Sequence, residues 1–287
     1  MKFKFRLTRG ILFLFARLPL PILYGLASFL AFVAQYIIKY RKAVIQQNLK
    51  NSFPKYTSIQ LKLIEDKFYK RFAIIIVEVL MQFRQDKEFL KSRMIVSNPE
   101  LLEKYHKEGR NVVAMAGHFC NWEWLGSSMG MFSSYYALGI YKTLSNKLVD
   151  ELLFEIRSLN DTKLVPMEKA TKTMLGCKVP LLSCFLADQA ASPNNAYWTD
   201  FLHQDSPFFW GAEKIAKASN AIVVFLAMRF VKKGYYSIEI IELCDNPKLI
   251  ADGEIIQMYV SALEKEIIAA PEYWLWSHKR WKHKRPQ

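Results

Sequence analysis

No aspartate or glutamate occurs before Glu65, although that stretch holds eleven Lys and Arg residues. None follows Glu272 either, and five more basic residues come after it. All 26 acidic residues lie between, against 24 basic ones, so the formal charge of +14 belongs to the two ends. Basic ends beside an apolar segment point to an anionic membrane surface ahead of nucleic acid, for which no motif is recognisable. Cysteine is scarce. Cys120, Cys177, Cys184 and Cys244 form no Cys-x-x-Cys pair, which speaks against a disulfide frame or a zinc site and for reduced thiols facing a cytosol. No His/Cys/Asp cluster has ligand spacing, so neither a metal nor another cofactor is expected. Repeats and low-complexity linkers are missing. At 52% hydrophobic and 23% charged residues the chain is not disordered, and 287 residues suit one large domain or two small ones.

The longest uncharged run is Leu18 to Ile38, about the length that crosses a bilayer. Lys2, Lys4, Arg6, Arg9 and Arg17 precede it, and Lys39, Arg41 and Lys42 close it. Basic residues on both flanks give no orientation. The absence of a small-residue cleavage site before the basic cluster argues against a signal peptide. Pro19 and Pro21 would break a helix if they lay in its interior. Three readings stay open: a spanning helix, a helix lying in one leaflet, or a buried helix of a soluble domain. The acid-free flanks favour the first two, with residues 1–42 as a membrane-anchoring segment.

Ser58 to about Arg84 reads as a helix, with Ile59, Leu63, Phe68, Phe72, Ile75, Ile76, Val79 and Leu80 at mixed spacings of three and four. From Gly109 onward short apolar runs alternate with amphipathic stretches. The expected strands are Asn111–Ala116, Tyr135–Tyr141, Lys163–Pro166, Val179–Ala187, Ala221–Val231 and Tyr235–Leu243. The expected helices are Asn121–Met131, Ser145–Leu159, Glu168–Gly176, Gly211–Ser219 and Gly253–Ala269. This alternation predicts an α/β fold, a central sheet flanked by helices, with an N-terminal membrane-associated helical segment. A hairpin at Lys232–Gly234 makes the sheet mixed.

Of five histidines, His118 stands apart, since it follows an apolar strand and Gly117 and precedes Asn121-Trp122-Glu123-Trp124. The end of a strand before a helix is where α/β sheets place ligand crevices, and imidazole moves protons near neutral pH. If Glu123 sits in the first turn of that helix, its carboxylate can fold back on His118 and fix the tautomer. Alternatively His118 caps the helix and Glu123 merely favours its N-terminus. Arg157 and Asp188 form a second candidate pair, at the ends of an amphipathic stretch and of an apolar strand. Arg157 could clamp a phosphate or pair with Asp188 to order a cleft, or the two could be a structural ion pair. Gln189 extends the same polar patch. His106, His203 and His283 have no constellation, and His278 reads as structural. Trp274, Trp276 and Trp281, interleaved with Lys279, Arg280, Lys282, Lys284 and Arg285, suit a membrane interface or an acidic partner, or a terminal segment packed on the core.

The segment Ala116-Gly117-His118-Phe119-Cys120-Asn121-Trp122-Glu123 resembles the His-x4-Glu signature of bacterial lipid A biosynthesis acyltransferases, within the wider His-x4-Asp/Glu glycerolipid acyltransferases. The likeness runs along most of the chain. It takes in Leu18-Pro19, Arg41, Asn48-Leu49 with Phe53-Pro54, Tyr141 to Arg157, Asp188-Gln189, Phe208 to Lys217 and Trp274 to Lys282. Cys120 departs from it, since that family usually has glycine there. The resemblance implies an acyltransferase catalytic domain over residues 43–287 at the cytoplasmic face of a bacterial inner membrane. It implies transfer of a fatty acyl chain from a thioester of acyl carrier protein or coenzyme A to a hydroxyl of a lipid A precursor. His118 would be the general base, with Glu123 its partner, direct attack would need no acyl-enzyme, and Arg157, Asp188 and Gln189 would bind substrate. Other acceptors, a different glycolipid or an ornithine-type lipid, fit the same motif, as does an esterase or thioesterase that activates water.

Overall fold

The computed structural model describes residues 2–84 and 86–286. Met1, Gln85 and Gln287, which fall in the expected segments 1–42 and 43–287, lie outside them. Two helices open the chain, α1 (Lys2–Phe15) and α2 (Leu20–Phe32), and α2 runs on through a π-helical turn at Val33–Ile37. Pro19 and Pro21 stand at the N-cap and in the first turn of α2. A missing N–H is harmless there, so the prolines start the helix and do not break it. Leu23, Ala27, Ala31 and Gln35 recur every fourth residue and are buried. That stripe packs against α4 (Ser58–Met81), which α3 (Lys42–Ser52) precedes. A capping box explains why α4 begins where it does: the Thr57 hydroxyl accepts from Gln60 N–H, and the Gln60 side chain accepts from Thr57 N–H. The second half of α4 is buried through Ala73, Ile74, Ile75, Val77, Glu78 and Met81, but Ile59 and Leu63 near its start are exposed.

The remaining elements alternate. They are α5 (Lys87–Lys91), β1 (Met94–Val96), α6 (Glu100–Lys107), β2 (Val112–Ala116), α7 (Trp122–Ser128), β3 (Tyr136–Tyr141), α8 (Lys147–Arg157), β4 (Thr162–Pro166), α9 (Ala170–Gly176) and β5 (Leu181–Leu186). A hairpin of β6 (Ala196–Phe201) and β7 (Gln204–Phe209) follows, then α10 (Gly211–Ser219), β8 (Ile222–Lys232), β9 (Tyr235–Cys244) and α11 (Glu254–Ala269). Seven strands form one sheet in the order β1-β9-β8-β2-β5-β3-β4. From β8 to β4 the neighbours are parallel, and β9 turns back antiparallel on β8, so the sheet is mixed as expected.

The central strands place the site. Every residue of β2 is buried, as parallel strands covered on both faces must be. Ala116 at the end of β2 is in register with Leu186 at the end of β5. The two chains therefore leave the sheet side by side, one towards His118 and the other towards Asp188. After α11 a short turn at Pro271–Tyr273 leads into an irregular strap, in which Trp274 and Trp276 are buried. Of the three roles expected for this segment, these two tryptophans show core packing.

Candidate active site

His118 Nδ1 lies 2.6 Å from Asp188 Oδ1. The backbone N–H of His118 donates to Asp188 Oδ2 at 2.8 Å, and the Trp274 indole donates to the same oxygen at 2.8 Å. Asp188 is buried. Burial pushes its carboxyl up, but the charge and hydrogen bonds of His118, with the indole, outweigh burial and hold it down to about 2. An ionised carboxylate only accepts, so Nδ1 carries the hydrogen and Nε2 is left as the basic nitrogen. The Gln189 amide nitrogen lies 3.1 Å from Nε2. The indole ring of Trp122 is centred 5.3 Å from the imidazole. Gly117 makes the close approach of α11 and of the Asp188 carboxylate possible: a Cβ there would stand 2.6 Å from Leu263 Cδ1 and 3.3 Å from Asp188 Oδ2.

The four titratable residues singled out in the sequence form two pairs, His118 with Asp188 and Glu123 with Arg157, which differ from the expected pairing. Glu123 does not fold back on His118; it binds Arg157. Arg157 Nε donates to one carboxylate oxygen at 2.7 Å and a terminal nitrogen donates to the other at 2.6 Å. The reason is local. Asn121 is the N-cap of α7, its side chain accepting from Trp124 N–H at 3.1 Å, and Glu123 leaves the first turn towards α8. Arg157 is thus not the partner of Asp188, which is buried beside the imidazole. Burial works against the charge on Arg157, while Glu123 raises its pKa.

Cys120 occupies the left-handed region at φ +51°, which glycine adopts without strain. The departure from glycine noted at this position therefore carries backbone strain. Burial pushes the Cys120 thiol well above its ordinary value. A buried, protonated thiol is a poor nucleophile. The backbone N–H groups of His118 and Cys120 are committed to Asp188 and to Tyr273 O, the latter at 3.0 Å.

Two residues at the site carried no signal in the sequence. Glu78, fully buried in α4, accepts from Asn121 Nδ2 at 2.9 Å, Tyr236 Oη at 2.6 Å and Tyr24 Oη at 3.2 Å. It orients the Asn121 amide so that its oxygen faces Trp124 N–H. Burial raises the Glu78 pKa against these hydrogen bonds. An acidic residue in an apolar helical run marks such a hub, but its partners come from three distant segments. The second residue, Trp274, was read only as part of an aromatic and basic terminus. His278 is half-buried in the strap, and burial drives its pKa down to about 4, so it is neutral in the fold.

Among the described residues the hydrogen-bond partners of the His118 ring are a carboxylate and an amide. A buried Asp behind an imidazole, at the end of the central strands, is an arrangement that can activate a hydroxyl or water as a base. The chain belongs to the bacterial lipid A biosynthesis acyltransferases, the family that matches residues 2–283. It is 23% identical to the lipid A biosynthesis palmitoleoyltransferase of Escherichia coli (strain K12) over 286 residues, covering 95% of this chain and 89% of that protein. Its identity to the lauroyltransferase of the same organism is 23% over 278 residues, at the same coverage. A lipid A biosynthesis acyltransferase of Haemophilus influenzae (strain ATCC 51907 / DSM 11121 / KW20 / Rd) is 24% identical over 246 residues, covering 83% and 74%. The chain is therefore an acyltransferase.

Proposed function

We propose that this enzyme transfers a fatty acyl chain from a thioester, carried by acyl carrier protein or coenzyme A, to a hydroxyl of a lipid A precursor, with His118 as general base and Asp188 as its partner. The observation that carries the reading is the 2.6 Å contact between His118 Nδ1 and Asp188 Oδ1, which leaves Nε2 facing outward. Nε2 takes the proton of the acceptor hydroxyl as its oxygen attacks the thioester carbonyl. The tetrahedral oxyanion collapses, the C–S bond breaks, and the departing thiolate takes the proton from the imidazolium. The products are an ester and a free thiol. Asp188 keeps the ring in the productive tautomer and stabilises the imidazolium between the two transfers. Gln189, next to Nε2, yields to the acceptor hydroxyl and orients it. Glu123 and Arg157 join α7 to α8 and shape the cleft from its outer side.

Residues 1–42 supply the membrane surface and residues 43–287 the reaction. In α1, Phe3, Leu7, Ile11 and Leu14 form one exposed stripe, and α2 exposes Ile22, Leu26, Phe29 and Leu30. The helix Leu20–Ile37 is long and apolar enough to cross a membrane, by length and composition. Its opposite side contributes Leu23 and Ala27 to the principal core, and Tyr24 binds Glu78. A helix tied along its side to the catalytic domain lies in one leaflet, with its basic flanks at the headgroups. The four free cysteines and the thioester donor suit the cytoplasmic face of an inner membrane. Phe29→Glu with Ile37→Glu should release the protein from anionic vesicles without lowering its Tm; retained binding would move the anchor elsewhere.

The activity is tested by transfer of a labelled acyl chain from acyl carrier protein to a lipid A precursor in detergent. Transfer that requires the lipid supports the reading. Thioester loss at the same rate without lipid would make the protein a thioesterase instead. Lipid mass spectrometry of cells lacking the gene should show a lipid A species short of one acyl chain.

A further inference from the structure

The strap after α11 crosses the turn that carries His118. Cys120 N–H donates to Tyr273 O, and Leu275 N–H donates to His118 O at 3.1 Å, with a β-bridge between Phe119 and Trp274. The strap is fixed from behind by α3 and the residue before it. Arg41 donates to Ser277 O at 2.8 Å, and Asn48 Nδ2 donates to Trp276 O at 2.8 Å and to His278 O at 3.0 Å. Trp274 stands between these two sets of bonds, 2% exposed, with its indole N–H on Asp188 Oδ2.

We propose that Trp274 is a positioning residue for the reaction: its indole holds Asp188 so that Oδ1 faces His118 Nδ1, and the strap is thereby part of the active site. Oδ2 receives two donors, the His118 N–H and the indole N–H, from segments far apart in the chain. With both in place the carboxylate cannot pivot without losing two hydrogen bonds to an ionised group, which are the strong kind. With the indole removed, a single backbone donor is left to oppose rotation. The neighbouring Trp276 provides an internal contrast. It is equally buried and stacks edge-on against Trp274 at 4.7 Å, but its indole donates to Pro271 O at 2.6 Å, within the strap itself. Trp276 holds the strap together, whereas Trp274 alone passes its hold on to the carboxylate. The proposal rests on the reading of Asp188 as the partner of His118.

The test compares Trp274→Phe with Trp276→Phe in the full-length protein. The readouts are the low-field Nδ1–H proton resonance of His118, kcat and KM for acyl transfer, and Tm. Trp274→Phe should move the resonance and lower kcat on the order of 10-fold with KM unchanged. Trp276→Phe should lower Tm without moving the resonance. An unmoved resonance in folded Trp274→Phe, or an equal displacement in Trp276→Phe, would overturn the proposal. A displaced resonance with wild-type kcat would overturn it as well, because the hold on Asp188 would then not serve the reaction. Should Trp274→Phe fail to fold, the reciprocal measurement is the indole Nε1–H resonance of Trp274. It should move in Asp188→Asn, and an unmoved signal there overturns the proposal too.

Discussion

The two side-chain pairs, His118 with Asp188 and Glu123 with Arg157, are built differently. The side chains of His118 and Asp188 are 13% and 2% exposed, and donors from the β2 end and the strap grip the carboxylate. Glu123 and Arg157 are 12% and 23% exposed and meet fork to fork between two helices. The first pair hangs from adjacent central strands whose ends are in register. The second joins α7 to α8 near the surface. The strand ends give the first pair a fixed distance and shielding from water. A pair that ties helices together needs only a good fork. Proximity in sequence did not choose the partners: Asp188, seventy residues from His118, meets the imidazole, and Glu123, five residues away, turns to Arg157.

That contrast predicts unequal consequences. Asp188→Asn should lower kcat by about 10³-fold or more, because the amide neither stabilises the imidazolium nor fixes the tautomer. Glu123→Gln and Arg157→Ala should each cost about 10- to 100-fold through displacement of the helices. Their double mutant should be little worse than either single one, and strictly additive losses would make them separate substrate contacts. Arg157→Lys should rescue little, since it keeps the charge but loses the fork.

Stability against pH sharpens the same comparison. Asp188 is held at about 2 against an ordinary 3.8, so its contribution is full above pH 4 and lost as pH falls through 2. His278 is held at about 4 against 6.5. The unfolded chain then binds the proton first, and stability declines as pH drops from 6.5 towards 4. Thermal denaturation of His278→Gln should show a flatter decline over that window, and an unchanged slope would remove His278 from the balance. The smallest effect is expected for Cys120→Gly. Relief of left-handed strain, about 1 kcal/mol, opposes the loss of a buried side chain, so Tm should move by only a few degrees.

Much of the fold was legible because its signals are local. The apolar runs at Asn111–Ala116 and Val179–Ala187 became β2 and β5 within one or two residues, and Gly211–Ser219 is α10 as expected. The hairpin β6–β7 was not legible, since β6 is half-exposed and β7 contains Pro207 and alternates weakly. Ile59 and Leu63 were expected on the inner face of α4 and are exposed. A helix whose apolar residues spread over both faces does not say which one is buried. The candidate site residues His118, Glu123, Arg157, Asp188 and Gln189 were singled out by type, but the pairing of His118 with Asp188 depends on the register of β2 with β5. The strap was legible as composition only, because a tryptophan that serves a carboxylate looks like one that serves a core.

The most direct measurement is a double-mutant cycle between His118→Ala and Asp188→Asn in the labelled acyl-transfer assay, with Glu123→Gln as the reference and circular dichroism as the folding control. If Asp188 acts through His118, the double mutant transfers acyl chains no more slowly than His118→Ala alone, and Glu123→Gln remains well above both. A folded Asp188→Asn protein near the wild-type rate, with Glu123→Gln as slow as His118→Ala, would contradict the assignment of Asp188 as the partner of the base.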